Sequence, residues 1–169
     1  MSELEKNFLG IWELKEWSVE KPDGKKTYPF SGKVSGYLMY HPDGWMSANL
    51  MQNDRINVSD DRVKISKISH LLQNETEISF EGDLLETIKN FFIATNGYVS
   101  YAGTFNADDS NVYHNIELSL LPQWVGTTLT RKHSFSSKNT NLKAKLKLST
   151  KTFGSKTFSG KLLAISLSF

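Results

Sequence analysis

Glu117 and Arg131 are the residues of this chain best placed by type and spacing to act together on a small molecule. They flank Leu121-Pro-Gln-Trp-Val-Gly126, a turn-like segment between two alternating apolar and polar runs, Val112 to Leu121 and Thr127 to Phe135. A hairpin symmetric about Trp124 sets Glu117 opposite Arg131, Asn115 opposite His133 and Ser119 opposite Leu129, all on one face. The other face then carries His114, Ile116, Leu118 and Leu120 with Thr128, Thr130 and Lys132. Turned into a cavity, the first face is a polar row able to orient a ligand. Turned outward, it is an exposed ion pair of little energetic weight, and spacing alone leaves both readings open. A carboxylate beside a guanidinium is also equipped for acid–base chemistry, because the cation governs its ionisation.

Little else in the sequence carries chemistry. The four histidines, at 41, 70, 114 and 133, lack metal-ligand spacing, and the absence of cysteine excludes a disulfide framework, a thiolate zinc site and a thiol nucleophile. No nucleophile elbow, phosphate-cradling glycine loop or dinucleotide fingerprint is present. The expectation is therefore no metal and no cofactor. His114 reads as a wall or surface residue. It lies three positions from Glu117 and so on the opposite face, unless a bulge intervenes. Tyr40, Asn49, Tyr101 and Trp124 join Glu117, Arg131, Asn115 and Ser119 as candidate ligand-binding residues, since aromatic walls with a few polar handles suit a small apolar molecule.

Those residues need strands to hold them. Alternation from Trp12 to Val19 predicts a strand that stops at Lys21-Pro-Asp-Gly24. His41-Pro-Asp-Gly44 reads as a type I turn joining Gly36–Tyr40 to Trp45–Met51. That hairpin is expected to show Tyr37, Met39, Met46, Ala48 and Leu50 on one face, and Leu38, Tyr40, Trp45, Ser47 and Asn49 on the other. Residues 52–81 read as a long polar loop, followed by a helix over 84–95. Asp83 is its expected cap, Glu86 stands at the capping-box position, and Asn96-Gly97 is its expected left-handed stop. Alternation resumes over 98–105, 112–121, 127–135, 142–149 and 161–169, with Lys143, Lys145 and Lys147 as an outward ladder. About eight or more strands in sequence predict an all-β chain, a single antiparallel up-and-down barrel with one short inserted helix, in one domain over 1–169.

Composition narrows the partners. Twenty Lys and Arg against 18 Asp and Glu give a formal charge of +2, unlike the clustered basic excess of a nucleic-acid binder. No apolar run approaches the roughly 20 residues of a spanning helix, and Met1–Asn7 shows no signal-peptide pattern. A cytoplasmic protein with no nucleic-acid or membrane partner is expected, a homodimer being left open. The sequons at Asn57 and Asn74 carry no weight without an export signal.

Gly10-Ile-Trp12 is similar to the lipocalin Gly-x-Trp signature. It is followed, in order, by Gly36-Tyr-Leu-Met-Tyr-His-Pro-Asp-Gly-Trp-Met-Ser-Ala48, Tyr98-Val-Ser-Tyr-Ala-Gly-Thr-Phe105, the run His114 to Thr127, and Arg131. Together these resemble the bacterial and fungal lipocalin-like domain family, a calycin-type barrel, over nearly the whole chain. The resemblance implies a barrel plug at Trp12 and recurring residues at Tyr40, Gly44, Tyr101, Gly103, His114, Glu117, Ser119, Pro122, Trp124, Gly126 and Arg131. The chain departs from the pattern at Leu162–Phe169, where such domains carry a Trp and basic residues, and at His133, which replaces an aromatic. The leading expectation is a protein that binds a small, largely apolar ligand in the barrel cavity, with the 52–81 loop and the following helix gating one end. Two others stand beside it: a small cofactor-free isomerase, cyclase or dehydratase using Glu117 and Arg131, and an interaction module with a filled barrel.

Overall fold

A computed structural model of the chain describes residues 1–20, 23–74, 80–137, 143–150 and 154–161. Nine antiparallel strands form one sheet: β1 (Gly10–Glu20), β2 (Lys26–Thr27), β3 (Val34–Tyr40), β4 (Trp45–Gln52), β5 (Tyr98–Ala107), β6 (Asn111–Ser119), β7 (Thr128–Ser137), β8 (Lys143–Thr150) and β9 (Gly154–Lys161). Neighbours in sequence pair along the order β2-β1-β3-β4-β5-β6-β7-β8-β9, and β9 returns to pair with β1 from Ile11↔Lys161 to Ser18↔Ser155. That last ladder closes the sheet into the expected up-and-down barrel and satisfies both edges. The strand expected over 161–169 lies, but for Lys161, outside the described residues, and β9 over Gly154–Lys161 was not expected. Lys21-Pro22 of the first turn, the Glu75-Thr76 part of one sequon, and the side chains of the Lys143, Lys145 and Lys147 row also lie outside them.

Alternation along each strand sends every second side chain inward. Trp12, Leu14, Leu38, Tyr40, Met46, Ala48, Leu50, Tyr101, Phe105, Val112 and Ile116 form the buried core. In β1 the pairing with β9 shifts between Leu14 and Glu16, and this bulge resets the phase, so that Trp17 is buried on the same side as Trp12. Strict alternation had put them on opposite faces. Phe8 joins the core just beyond a short N-terminal helix, α1 (Glu3–Lys6), which the sequence reading missed although Ser2 and Glu5 form a complete capping box. Glu5 also accepts a hydrogen bond from the Ala107 amide at 3.2 Å, tying α1 to β5. Phe8 is fully buried, within 5.3 Å of the Tyr40 ring and 4.8 Å of Phe135, and its carbonyl accepts a 2.6 Å bond from the Trp12 indole. Trp12, the residue expected to plug the barrel, is buried against Phe8.

The chain divides into two compact units, Met1–Asn53 with Val99–Phe169, and Asp54–Tyr98. The second holds α2 (Arg62–Asn74) and α3 (Gly82–Asn96). The helix expected at 84–95 is present as α3, whereas α2 corrects the expectation of a structureless loop. Ile65, Ile68 and Leu72 recur at helical spacing and face Thr87, Ile88 and Phe91 of α3. Glu81, not Asp83, occupies the N-cap of α3, and Asp83 pairs instead with Lys64 of α2. The helix ends without the expected left-handed glycine, Gly97 having φ −82°. Among the described residues no helix is long and apolar enough to cross a membrane.

One close approach in the barrel tests this packing. A Cβ at Gly103 would stand 1.9 Å from the Asn115 carbonyl oxygen of the neighbouring strand. Backbone cannot yield there as a side chain would, and overpacking of this kind costs about 3 kcal/mol. Gly103→Ala is expected to lower Tm by about 6–12 °C in a thermal melt, and a melt unchanged within 2 °C would contradict the register of β5 on β6.

Candidate functional site

The loop at His41–Gly44 decides which side chains of β3 and β4 look inward. Gly44 takes φ +86°, its amide bonds the His41 carbonyl at 3.0 Å, and the His41 amide bonds the Trp45 carbonyl at 2.8 Å. The strands then pair as Tyr40↔Met46, Leu38↔Ala48 and Tyr37↔Asn49. Leu38, Tyr40, Met46, Ala48 and Leu50 are buried together, while Tyr37, Met39, Trp45, Ser47 and Asn49 share the outer face. The sequence reading placed the turn correctly but crossed the two arms, because it gave the loop the wrong parity. Asn49 is consequently on the outside, accepting from the Ser100 hydroxyl at 2.8 Å and donating to Ser47 at 3.0 Å.

The same correction applies to the hairpin that carried the expected ion pair. Between β6 and β7 the register is Val112↔Arg131, His114↔Leu129 and Asn115↔Thr128. Pro122–Trp124 forms a turn of 3-10 helix, and Leu118 and Ser119 run beyond the ladder with β7 to pair with β5 alone. The connection is therefore longer on one arm than on the other, and symmetry about Trp124 fails. An odd shift inverts every face. Glu117 is exposed at a bulge where the register of β5 on β6 changes, and it does not face Arg131. Asn115 lies on the outer face, accepting from Thr128 at 2.9 Å. Ser119 pairs with Tyr101, accepts from the Leu121 amide at 3.0 Å and donates to the Ser100 carbonyl at 3.4 Å. Trp124 is half-buried with its ring edge-on to Tyr101 at 5.9 Å.

What the register turns inward instead is His114 and Arg131. His114 is fully buried and Arg131 is 8% exposed. The Tyr40 hydroxyl lies 2.8 Å from His114 Nε2, and the Tyr101 hydroxyl lies 3.1 Å from His114 Nδ1. Four strands thus each contribute one polar group: β3 Tyr40, β5 Tyr101, β6 His114 and β7 Arg131. Burial pushes the Tyr40 phenol well above its ordinary range, with the charge of Tyr101 adding and that of Arg131 opposing. Burial raises Tyr101 as well, opposed by the charge of Arg131 and by its hydrogen bond to the phenol. Sequence reasoning named Tyr40, Tyr101 and Arg131 but assigned His114 to the wall or surface. The missed signal is its place in the alternation Val112, His114, Ile116, whose other members are core residues. His133, expected opposite Asn115, sits on the face of Arg131, with its Nε2 bonded to the Asp108 carbonyl at 2.8 Å and its ring 5.0 Å from Phe8.

Beside this network the barrel wall carries an apolar hollow of about 610 Å³. Ile11, Met39, Trp45 and Ser47 line it from the outer face, Leu9, Gly10 and Pro42 from the end of the barrel, and Tyr40 and Met46 from the core. Tyr40 belongs to both the hollow and the network. A closed antiparallel barrel with its strands paired in this order defines a calycin-type protein. The profile of the lipocalin-like domain family matches residues 9–165, and the chain belongs to that family. No curated protein matches the chain.

The buried phenols make a spectroscopic prediction. Their folded values lie above their unfolded ones, so their contribution to stability is complete below the ordinary tyrosine value of about 10 and is lost as pH rises through the folded values. In an absorbance titration at 295 nm, two of the six tyrosines should ionise only together with loss of the near-ultraviolet circular dichroism signal. Six ionisations completed before that signal falls would place Tyr40 and Tyr101 in water.

Proposed function

We propose that this protein binds a small, largely apolar molecule at the barrel, with the apolar body held in the hollow and a polar end turned to Tyr40 and the groups behind it. The observation that carries the reading is the lining of the hollow, in which Leu9, Ile11, Met39, Trp45 and Met46 supply an apolar wall and Tyr40, His41 and Ser47 are the polar members. The volume falls in the 300–1,000 Å³ range of small-molecule sites, and an apolar lining with few polar groups is their usual composition. Membership of a lipocalin-like family agrees with this, although a fold supports function only through its site. Within the expected set, the reading draws on Tyr40, Tyr101 and Arg131. It leaves Glu117, Asn115 and Asn49 on the outer face, and the acid–base pair of Glu117 with Arg131 has no part in it.

Trp45 is half-exposed beside the hollow and supplies the reporter. Neutral 1-aminoanthracene should bind with energy transfer from tryptophan. Met39→Glu, which puts a charge on the apolar lining at a position 39% exposed, should weaken that binding about tenfold or more. Its Tm should move by less than about 2 °C, as for other surface substitutions. Equal affinity of the variant and the parent would remove the hollow as the binding site, and native mass spectrometry of freshly purified protein would identify any molecule that it retains.

A further inference from the structure

The hollow lies on the outer wall of the barrel, and the row of side chains that lines it runs on past it. Ile11 of β1 pairs with Met39 of β3, Met39 pairs with Ser47 of β4, and on the far side Ala102 of β5 pairs with Leu118 of β6. Ser47 and Ala102 line the hollow together, and the bond from Ser100 to Asn49 holds β5 beside β4 there. One outward row therefore crosses five strands, with Tyr37 and Trp45 beside it on β3 and β4. Ile11, Tyr37, Met39, Trp45 and Leu118 are each between 39% and 70% exposed. Single exposed apolar residues are ordinary on a protein surface, but five on one face form a patch.

The size of the patch and its lack of charge indicate what covers it. The five side chains present about 500 Å² of apolar surface. A stable dimer buries about 800 Å² on each partner, about 65% of it apolar when the partners are copies of one chain, which is again about 500 Å². No member of the row from Ile11 to Leu118 is charged, and Glu13, opposite Tyr37, is paired with Lys15 at 2.6 Å. Asp43 and Glu117, both exposed, stand at its edges, where the polar rim of an interface lies. A two-fold axis sets a face against itself, which like charges oppose and an uncharged apolar face permits. The hollow also lacks a cover, since ligand sites bury about 70–90% of the molecule they hold, whereas Ile11, Met39 and Trp45 look outward from this one. We infer that a second copy of this chain packs on the outer face from β1 to β6, and that its own row closes the hollow over the bound molecule.

The closing of the hollow rests on the binding reading above, the assembly does not, and the two are read separately. Sedimentation velocity of the full chain without any probe should show a dimer at about 50 µM, dissociating on dilution with a micromolar Kd. Leu118→Lys and Tyr37→Lys leave the lining of the hollow unaltered. Each should make the protein monomeric at that concentration and weaken binding of 1-aminoanthracene about tenfold. An unchanged near-ultraviolet circular dichroism spectrum of either variant reports that the fold is retained. A monomeric parent, its face bare or covered by its own chain, would overturn the inference and leave the binding reading intact. So would a dimer that survives both substitutions. A dimer dispersed by the substitutions that binds no probe would overturn the binding reading and the closing of the hollow, leaving the assembly alone.

Discussion

Burying His114 and Arg131 inside one barrel constrains every strand around them. Each polar group inside an apolar barrel costs about 1–3 kcal/mol if left without a partner, and here the partners come from β3, β5 and β7 as well as β6. Slipping any one of those strands by a single residue would carry its polar side chain to the outer face and strand the others. The network therefore selects one register, whereas the apolar core, with the aromatic contacts of Phe8, Trp12, Phe105 and Phe135 in it, supplies the attraction. Specificity and stability come from different residues.

Much of the fold was legible in the sequence because it depends on local chemistry. The His41–Gly44 turn followed from a proline and a glycine at defined places, and both appear in the structure as expected. Strands β5 to β8 followed from alternation, although β9 did not, and the family followed from motifs spread along nearly the whole chain. Which face of a strand looks inward was not legible in the same way. That depends on the parity of a loop, and the β3–β4 and β6–β7 connections each departed from the parity that symmetry suggested. An odd error leaves the strands in place and exchanges inside for outside, which is how Glu117 came to be paired with Arg131 on paper and His114 came to be set aside. The core alternation Val112, His114, Ile116 was the better guide, because apolar neighbours two residues away report the face directly. In 52–81 the apolar residues were noted but their helical spacing was not used, and α2 was lost to a loop.

Inside the barrel the hydroxyls of Tyr40 and Tyr101 meet the two ring nitrogens of His114, and the charge of Arg131 acts on both phenols. The candidate set drawn from the sequence had the right residue types, tyrosine and arginine. Only the register could show that histidine, not glutamate, links them.

The burial of His114 between Tyr40 and Tyr101 is the central claim, and the exchange of its ring proton reports it directly. A long-range nitrogen–proton correlation spectrum of labelled protein at neutral pH should show a His114 ring whose nitrogen-bound proton is protected from exchange with water. A ring proton that exchanges as fast as that of an exposed histidine would contradict the account.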